Sequence, residues 1–291
     1  MLRAATLTAL DAGAAAGRFC RWFDYLVVEE GEIAAALAES WGAPGCAGQR
    51  FVLLQPASRA GVFLRFVEGE GHPDYRPLRT HGWAALELCV RDTLAVAARL
   101  EGSPFQVIGP PRALDGLPTI FPMQVQGPEG EIVFLTQILG DLPEYDLPRA
   151  ESLIDRLFIL VLACSDLGRS MHWFADTLGI ASGREIEITY SVLSAAFGLP
   201  ASVRHRIATG VNGRDCFLEF DQYPPQATAR PGRPQALAPG IALATLVHGD
   251  LAAVRAPWIR TPEVRSGALY GGRAAGTLRA PDGTLVEVVQ A

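Results

Sequence analysis

The sequence predicts an α+β chain built from one βαβββ unit repeated four times. Three observations carry that prediction: four apolar β-type runs that each end in aspartate, a helix-like stretch after each aspartate, and a turn followed by an apolar strand at the close of each unit.

The opening runs are Thr6 to Asp11 (TLTALD), Trp83 to Asp92 (WAALELCVRD), Leu157 to Asp166 (LFILVLACSD) and Ile241 to Asp250 (IALATLVHGD). Their closing acids recur at intervals of roughly 75 to 85 residues, the scale of a supersecondary module. An aspartate there suits the N-cap of the next helix, because its carboxylate accepts from the free N–H groups of the first turn. The clearest helix is LGRSMHWFADTLGI, in which Met171, Phe174 and Leu178 share one face and Gly179 stands at the C-cap position.

The closing strands follow SRAG, GPEG, NGRD and PDG as VFLRF, EIVFLTQ, CFLEF and TLVEVV. Asn212-Gly213 and Asp282-Gly283 are hairpin signals, since both pairs tolerate the positive φ of a tight turn. Between units lie breaker-rich joins at 68–82, 138–155 and 221–240. The middle join predicts a boundary near residue 150, giving an N-terminal half, 1–150 (units 1–80 and 81–150), and a C-terminal half, 151–291 (units 151–236 and 237–291). Low identity between the copies leaves open a plain α+β arrangement of unrelated strands.

Composition narrows the function. Among 291 residues, 49% are hydrophobic and 19% charged, enough for one large core or two ordinary ones. Net charge is −6 and every basic side chain is arginine; the absence of lysine excludes Schiff-base, P-loop and kinase chemistry. An acidic balance argues against a nucleic-acid partner. The five cysteines (Cys20, Cys46, Cys89, Cys164, Cys216) form no CxxC pair and indicate buried thiols, not a disulfide framework. Asp11 interrupts the Ala-rich N-terminus, which therefore reads as a strand and turn, and no apolar run reaches the ~18 residues that span a bilayer. A soluble, cytoplasmic protein without a membrane partner is expected.

LFILVLACSDLGRSMHWFADTLGI and APDGTLVEVVQ resemble the first strand and helix and the closing strand of the vicinal oxygen chelate superfamily, which holds glyoxalases, bleomycin resistance proteins and extradiol dioxygenases. That resemblance implies units paired into two glyoxalase-like half-barrel domains around pockets. It also implies a divalent metal held by His and Glu from first and last strands. The first-strand histidine position reads Ala4, Ala85, Ile159 and Leu243, so no histidine is present. The closing-strand position reads Arg65, Thr136, Glu219 and Glu287. Ring cleavage and a four-ligand glyoxalase site are accordingly disfavoured.

Glu219 and Glu287 are the catalytic candidates, expected to face one interior in the C-terminal barrel. They could form a weak oxygen-rich metal site, an acid/base pair or ligand-orienting groups, against the plainer reading that one or both face solvent. Glu287, Glu219 and His205 make the least implausible metal set, while the remaining histidines (His72, His81, His172, His248) read as surface or structural imidazoles. Arg65 and Trp173 are the substrate-contact candidates, although Phe19, Trp22, Phe23, Trp173 and Phe174 also suit packing of helices on sheets. The expected function is binding of a small, partly apolar organic molecule, with lyase or isomerase proton transfer. A metal-free sequestration protein, as a possible homodimer, is the alternative. Whether a cofactor is used stays open between a divalent metal and none bound tightly, the latter being the expectation.

Overall fold

The computed structural model describes residues 1–291. Unit one comprises β1 (Leu2–Ala9), α1 (Ala12–Phe23), β2 (Leu26–Glu32), a short α2 (Ala35–Ser40), β3 (Arg50–Gln55) and β4 (Phe63–Glu68). In unit two β5 (Gly82–Val90) leads to α3 (Thr93–Arg99), β6 (Gln106–Gly109), β7 (Ile120–Gln126) and β8 (Ile132–Ile138). Unit three runs β9 (Ile154–Cys164), α4 (Leu167–Leu178), β10 (Ala181–Thr189), α5 (Ser191–Ala196), β11 (Arg204–Asn212) and β12 (Asp215–Gln222). Unit four has only strands of regular length: β13 (Ile241–His248), β14 (Glu263–Arg265), β15 (Arg273–Arg279) and β16 (Leu285–Gln290).

All four opening aspartates cap as expected. Asp11 accepts from the Ala14 amide, Asp92 from Leu94 and Ala95, Asp166 from Arg169 and Asp250 from Ala252. Gly179 takes the left-handed C-cap (φ 67°) behind α4. The helix after Asp250 is missing, because Pro257 and Pro262 interrupt the segment and only a 3₁₀ turn (Leu251–Ala253) forms. In its place Trp258 lies against β15, over Gly276, where a Cβ would come within 2.8 Å of the indole.

The strands form two eight-stranded sheets of order β14-β15-β16-β13-β1-β4-β3-β2 and β10-β11-β12-β9-β5-β8-β7-β6. Each sheet is therefore two units joined through antiparallel opening strands, β1 with β13 and β5 with β9, while each opening strand runs parallel to its own closing strand. This corrects the expected pairing of units within halves: unit one pairs with unit four and unit two with unit three. Breaker composition reveals where a chain leaves a strand; which free sheet edge it then meets is a matter of nonlocal packing.

The main core lies between the two sheets and under α1 and α4. It joins Leu7, Phe19, Phe23 and Phe66 to Leu86, Leu160, Phe174 and Leu218 in one apolar cluster. Trp83 Nε1 donates to the Leu285 carbonyl (2.9 Å) and Tyr25 Oη to the Asp155 carbonyl (2.8 Å), so even the polar tips in this core are bonded from one sheet to the other. The opposite face of each sheet, away from α1 and α4, carries separate apolar clusters, to which the short α2 and α5 contribute.

Candidate functional site

The two open faces share a frame and differ in filling. In the first sheet Arg65 lies beside Thr6, and Glu287 beside Thr245, in the parallel pairings of units one and four. The corresponding register positions of the second sheet are Thr136 beside Cys89 and Glu219 beside Val161. Where one face has a long cation, the other has a short hydroxyl.

On the first face Arg65 fills the centre. Its guanidinium stands 3.4 Å from the Glu287 carboxylate, donates to Thr6 Oγ1 (2.9 Å) and Tyr270 Oη (2.8 Å), and lies 4.6 Å over the Trp41 ring. Glu287, with no exposed surface, accepts further bonds from Trp41 Nε1 (2.9 Å), Tyr270 Oη (2.9 Å) and Thr245 Oγ1 (2.8 Å). Both charges are buried, paired and hydrogen-bonded all round, which is the condition under which a buried ion pair persists. Arg65 borders a small cavity of about 140 Å³, but its donors are engaged within the protein, and so is Glu287.

On the second face the short Thr136 leaves room. Two adjoining cavities open there, of about 200 and 100 Å³, and both are bordered by Glu87, Glu219, Leu114, Ile188 and Ile207. Glu87 comes from the middle of β5 and Glu219 from β12. Asp221, two residues further along β12, projects to the same face behind Glu219. Glu87 is 8% exposed and accepts one hydrogen bond, from Thr136 Oγ1 at 2.6 Å. Asp221 is 1% exposed, and no donor group reaches either of its carboxylate oxygens, so its bond is with the neighbouring Glu219 carboxyl.

Electrostatics follow from that geometry. Burial, then the adjacent Glu219 charge, push the Glu87 carboxyl up to about 8, with the Thr136 hydrogen bond pulling the other way. Burial raises Asp221 to about 7 against the opposing bond with Glu219, and burial with the Asp221 charge holds Glu219 well above the usual carboxylate range. Three carboxyl groups without a paired cation share protons up to neutral pH and titrate as one system. Such a set can donate and accept protons near pH 7, the requirement for general acid/base work.

The walls of the smaller lobe are largely apolar. Ile120, Ile138, Phe158, Ile159 and Ile186 line the smaller lobe, and Leu142, Tyr145 and Leu147 of the middle join close one side of it. That join is pinned by Arg214, which donates to Asp146 (2.8 Å), and by Tyr145 Oη, which lies 3.0 Å from Thr209 Oγ1. The segment read as an interdomain linker is a wall of the pocket.

Glu219 and Glu287 are thus not brought together. They lie in different sheets, because units three and four do not pair. His205, on β11 of the second sheet, is buried and bonded through Nε2 to Ser194 Oγ (2.9 Å), so it serves the packing of α5; with Glu287 in the other sheet, the proposed metal set does not assemble. Nowhere do three His, Cys, Asp or Glu side chains converge as metal ligands. Trp173 sits on α4, stacked edge-on against Phe174 (4.9 Å) on the helical side of the sheet, away from the cavity. Arg65 has each guanidinium nitrogen bonded within the protein, to Thr6, Tyr270 and Glu287, and lies in the other sheet from the Glu87–Glu219 cavity. His172 pairs with Asp176 on the exposed face of α4, and His72 and His248 accept from nearby backbone amides.

Sequence reasoning missed Glu87, Asp221 and the role of Thr136. Glu87 had a visible signal, being the lone charge inside the apolar strand GWAALELCV. Asp221 was hidden at the edge of a join, and Thr136 reads as an ordinary strand residue.

No family model matches the chain, and no curated protein matches it in sequence. Among solved structures it is similar to glyoxalase I of Zea mays, with 15% identity over 99% of this chain and 92% of that one and a TM-score of 0.66. A mutant of the same maize protein gives 14% identity, coverage of 99% and 93%, and a TM-score of 0.67. A putative dioxygenase of Bacillus subtilis gives 10% identity, coverage of 99% and 84%, and a TM-score of 0.61. These likenesses span the whole four-unit arrangement.

Proposed function

We propose that this chain, which has the vicinal oxygen chelate fold, binds a small, partly apolar organic molecule on the open face of the sheet made by units two and three. The observation that supports this reading is the contrast between the faces. One is plugged by its own Arg65–Glu287 pair; the other leaves Glu87 and Glu219 facing a cavity whose bordering cations, Arg112 and Arg184, lie exposed at its rim. The site is therefore moved from the expected Glu219–Glu287 pair to Glu87 and Glu219, with Asp221 sharing the proton of Glu219.

The chemistry that suits this set is isomerase- or lyase-type proton transfer. A carbon acid held between Glu87 and Glu219 gives its proton to whichever carboxylate is ionised, and the protonated neighbour returns one to the adjacent oxygen or carbon. Atoms and charge balance across the pair. Apolar walls keep water from competing for that proton. The fold itself hosts many activities, so the assignment rests on the site.

Incubation with a panel of small α-acidic carbonyl compounds in D₂O tests the reading. Exchange of a carbon-bound proton for deuterium in one compound, lost in Glu219→Gln and Glu87→Gln, is the expected result. Saturable binding without exchange would instead support sequestration, and the absence of both would overturn the assignment.

A further inference from the structure

The second face has one carboxyl group more than acid/base chemistry uses. Proton transfer occupies two groups, one ionised and one protonated, whereas Glu87, Glu219 and Asp221 stand together. Burying a third carboxyl without a cation is costly unless something else completes it. On the first face the completing group is Arg65, fixed in the chain; on the second its place is empty space beside Thr136. Resting on the binding function above, we propose that this cavity takes molecules bearing a protonated amine on an apolar body, the ammonium seated against Glu87 and Glu219 where the first sheet has its guanidinium.

Several observations independent of the acid count point the same way. Glu87 is more than nine-tenths buried, borders both lobes and uses only Oε1 in its bond to Thr136, leaving Oε2 to the cavity. Glu219 borders both lobes, and the bond it makes is with the Asp221 carboxyl behind it, an acid and not a cation. The other titratable groups around the cluster are neutral or distant from its floor. Cys89, Cys216, Tyr190 and Tyr223 are all held above their ordinary values by burial and stay uncharged. His205 is turned to Ser194, and burial lowers its pKa. Arg184 and Arg112 lie at the exposed rim, Arg112 near Asp115 (3.8 Å). A ligand ammonium is thus the cation the floor lacks, and Ile188, Ile207, Phe158 and Ile159 supply contact for its hydrocarbon.

Seating a cation stabilises ionised carboxyls, so a protein that holds these protons before binding releases part of them on binding. Calorimetric titration with phenethylamine, phenethyl alcohol and phenylacetate, three probes of nearly one shape and three charges, tests the proposal. Each titration is run in two buffers of different ionisation enthalpy. The expected result is an affinity for the amine about tenfold or more above that of the alcohol. Proton release should accompany binding of the amine only, and the preference should be lost in Glu87→Gln and Glu219→Gln proteins that melt as the parent does. Equal affinity for amine and alcohol would overturn the amine selectivity while leaving the binding function standing, and a preference for phenylacetate would overturn it in the same way. Failure of all three probes to bind at millimolar concentration would overturn both readings together.

Discussion

Arg65 and Glu287 meet 3.4 Å apart at the centre of one sheet, although 222 residues separate them in the chain. They bind the first repeat to the last, and they close the face that the partner sheet leaves open. Removing one member strands a buried charge. Arg65→Met should cost about 3–5 kcal/mol in urea denaturation, whereas Arg65→Met with Glu287→Met should cost markedly less than the sum of the two single changes.

The indole of Trp41 contributes to the same plug by donating to Glu287 and by lying against the Arg65 guanidinium. Trp41→Phe keeps a ring and loses the donor. A loss of roughly 1–2 kcal/mol is expected, measured as a shift of the denaturation midpoint with unchanged slope.

Glu87 and Asp221 set a pH dependence of stability. Their folded values, about 8 and about 7, stand above those of an unfolded chain, so the folded protein binds more protons in between. The contribution of these groups to stability should be full at about pH 4 and below and fall as pH rises toward 8. Glu87→Gln, which cannot ionise, should flatten the fall by on the order of 1–3 kcal/mol at the alkaline end, read from melting curves across the range.

Ile207 is buried and borders both lobes of the cavity. Ile207→Trp places an indole into space that holds no protein atom. Binding of small aromatic probes should weaken by about tenfold or more while the melting temperature moves by a few degrees at most, a result that calorimetry and a thermal melt together establish.

How far the sequence led differs from residue to residue. The four aspartate caps, the turns at Gly213 and Asp282-Gly283, and the free cysteines were legible because each depends on neighbours a few residues away. The missing fourth helix was legible in Pro257 and Pro262, although the repeat pattern overrode them. Pairing of unit one with unit four was not legible, since apolar sheet edges carry no address in local composition. The error propagated: it joined Glu219 to Glu287 and left Glu87 unread, although a single acid in the apolar strand GWAALELCV is the kind of local inconsistency that marks a site. Asp221 fell within a segment assigned to a join, and its burial is a consequence of the fold alone.

The site is defined by buried carboxyl groups on one open face that hold protons far above the ordinary carboxylate range. Carbon-13 NMR titration of carboxyl-labelled Glu and Asp tests this directly, with Glu87→Gln, Glu219→Gln and Asp221→Asn proteins assigning the resonances. A midpoint near 8 for Glu87, and midpoints raised well above the ordinary carboxylate range for the Glu219–Asp221 pair, are predicted. Midpoints near the ordinary carboxylate value of about 4 would mean that water reaches these groups freely, and would contradict the site.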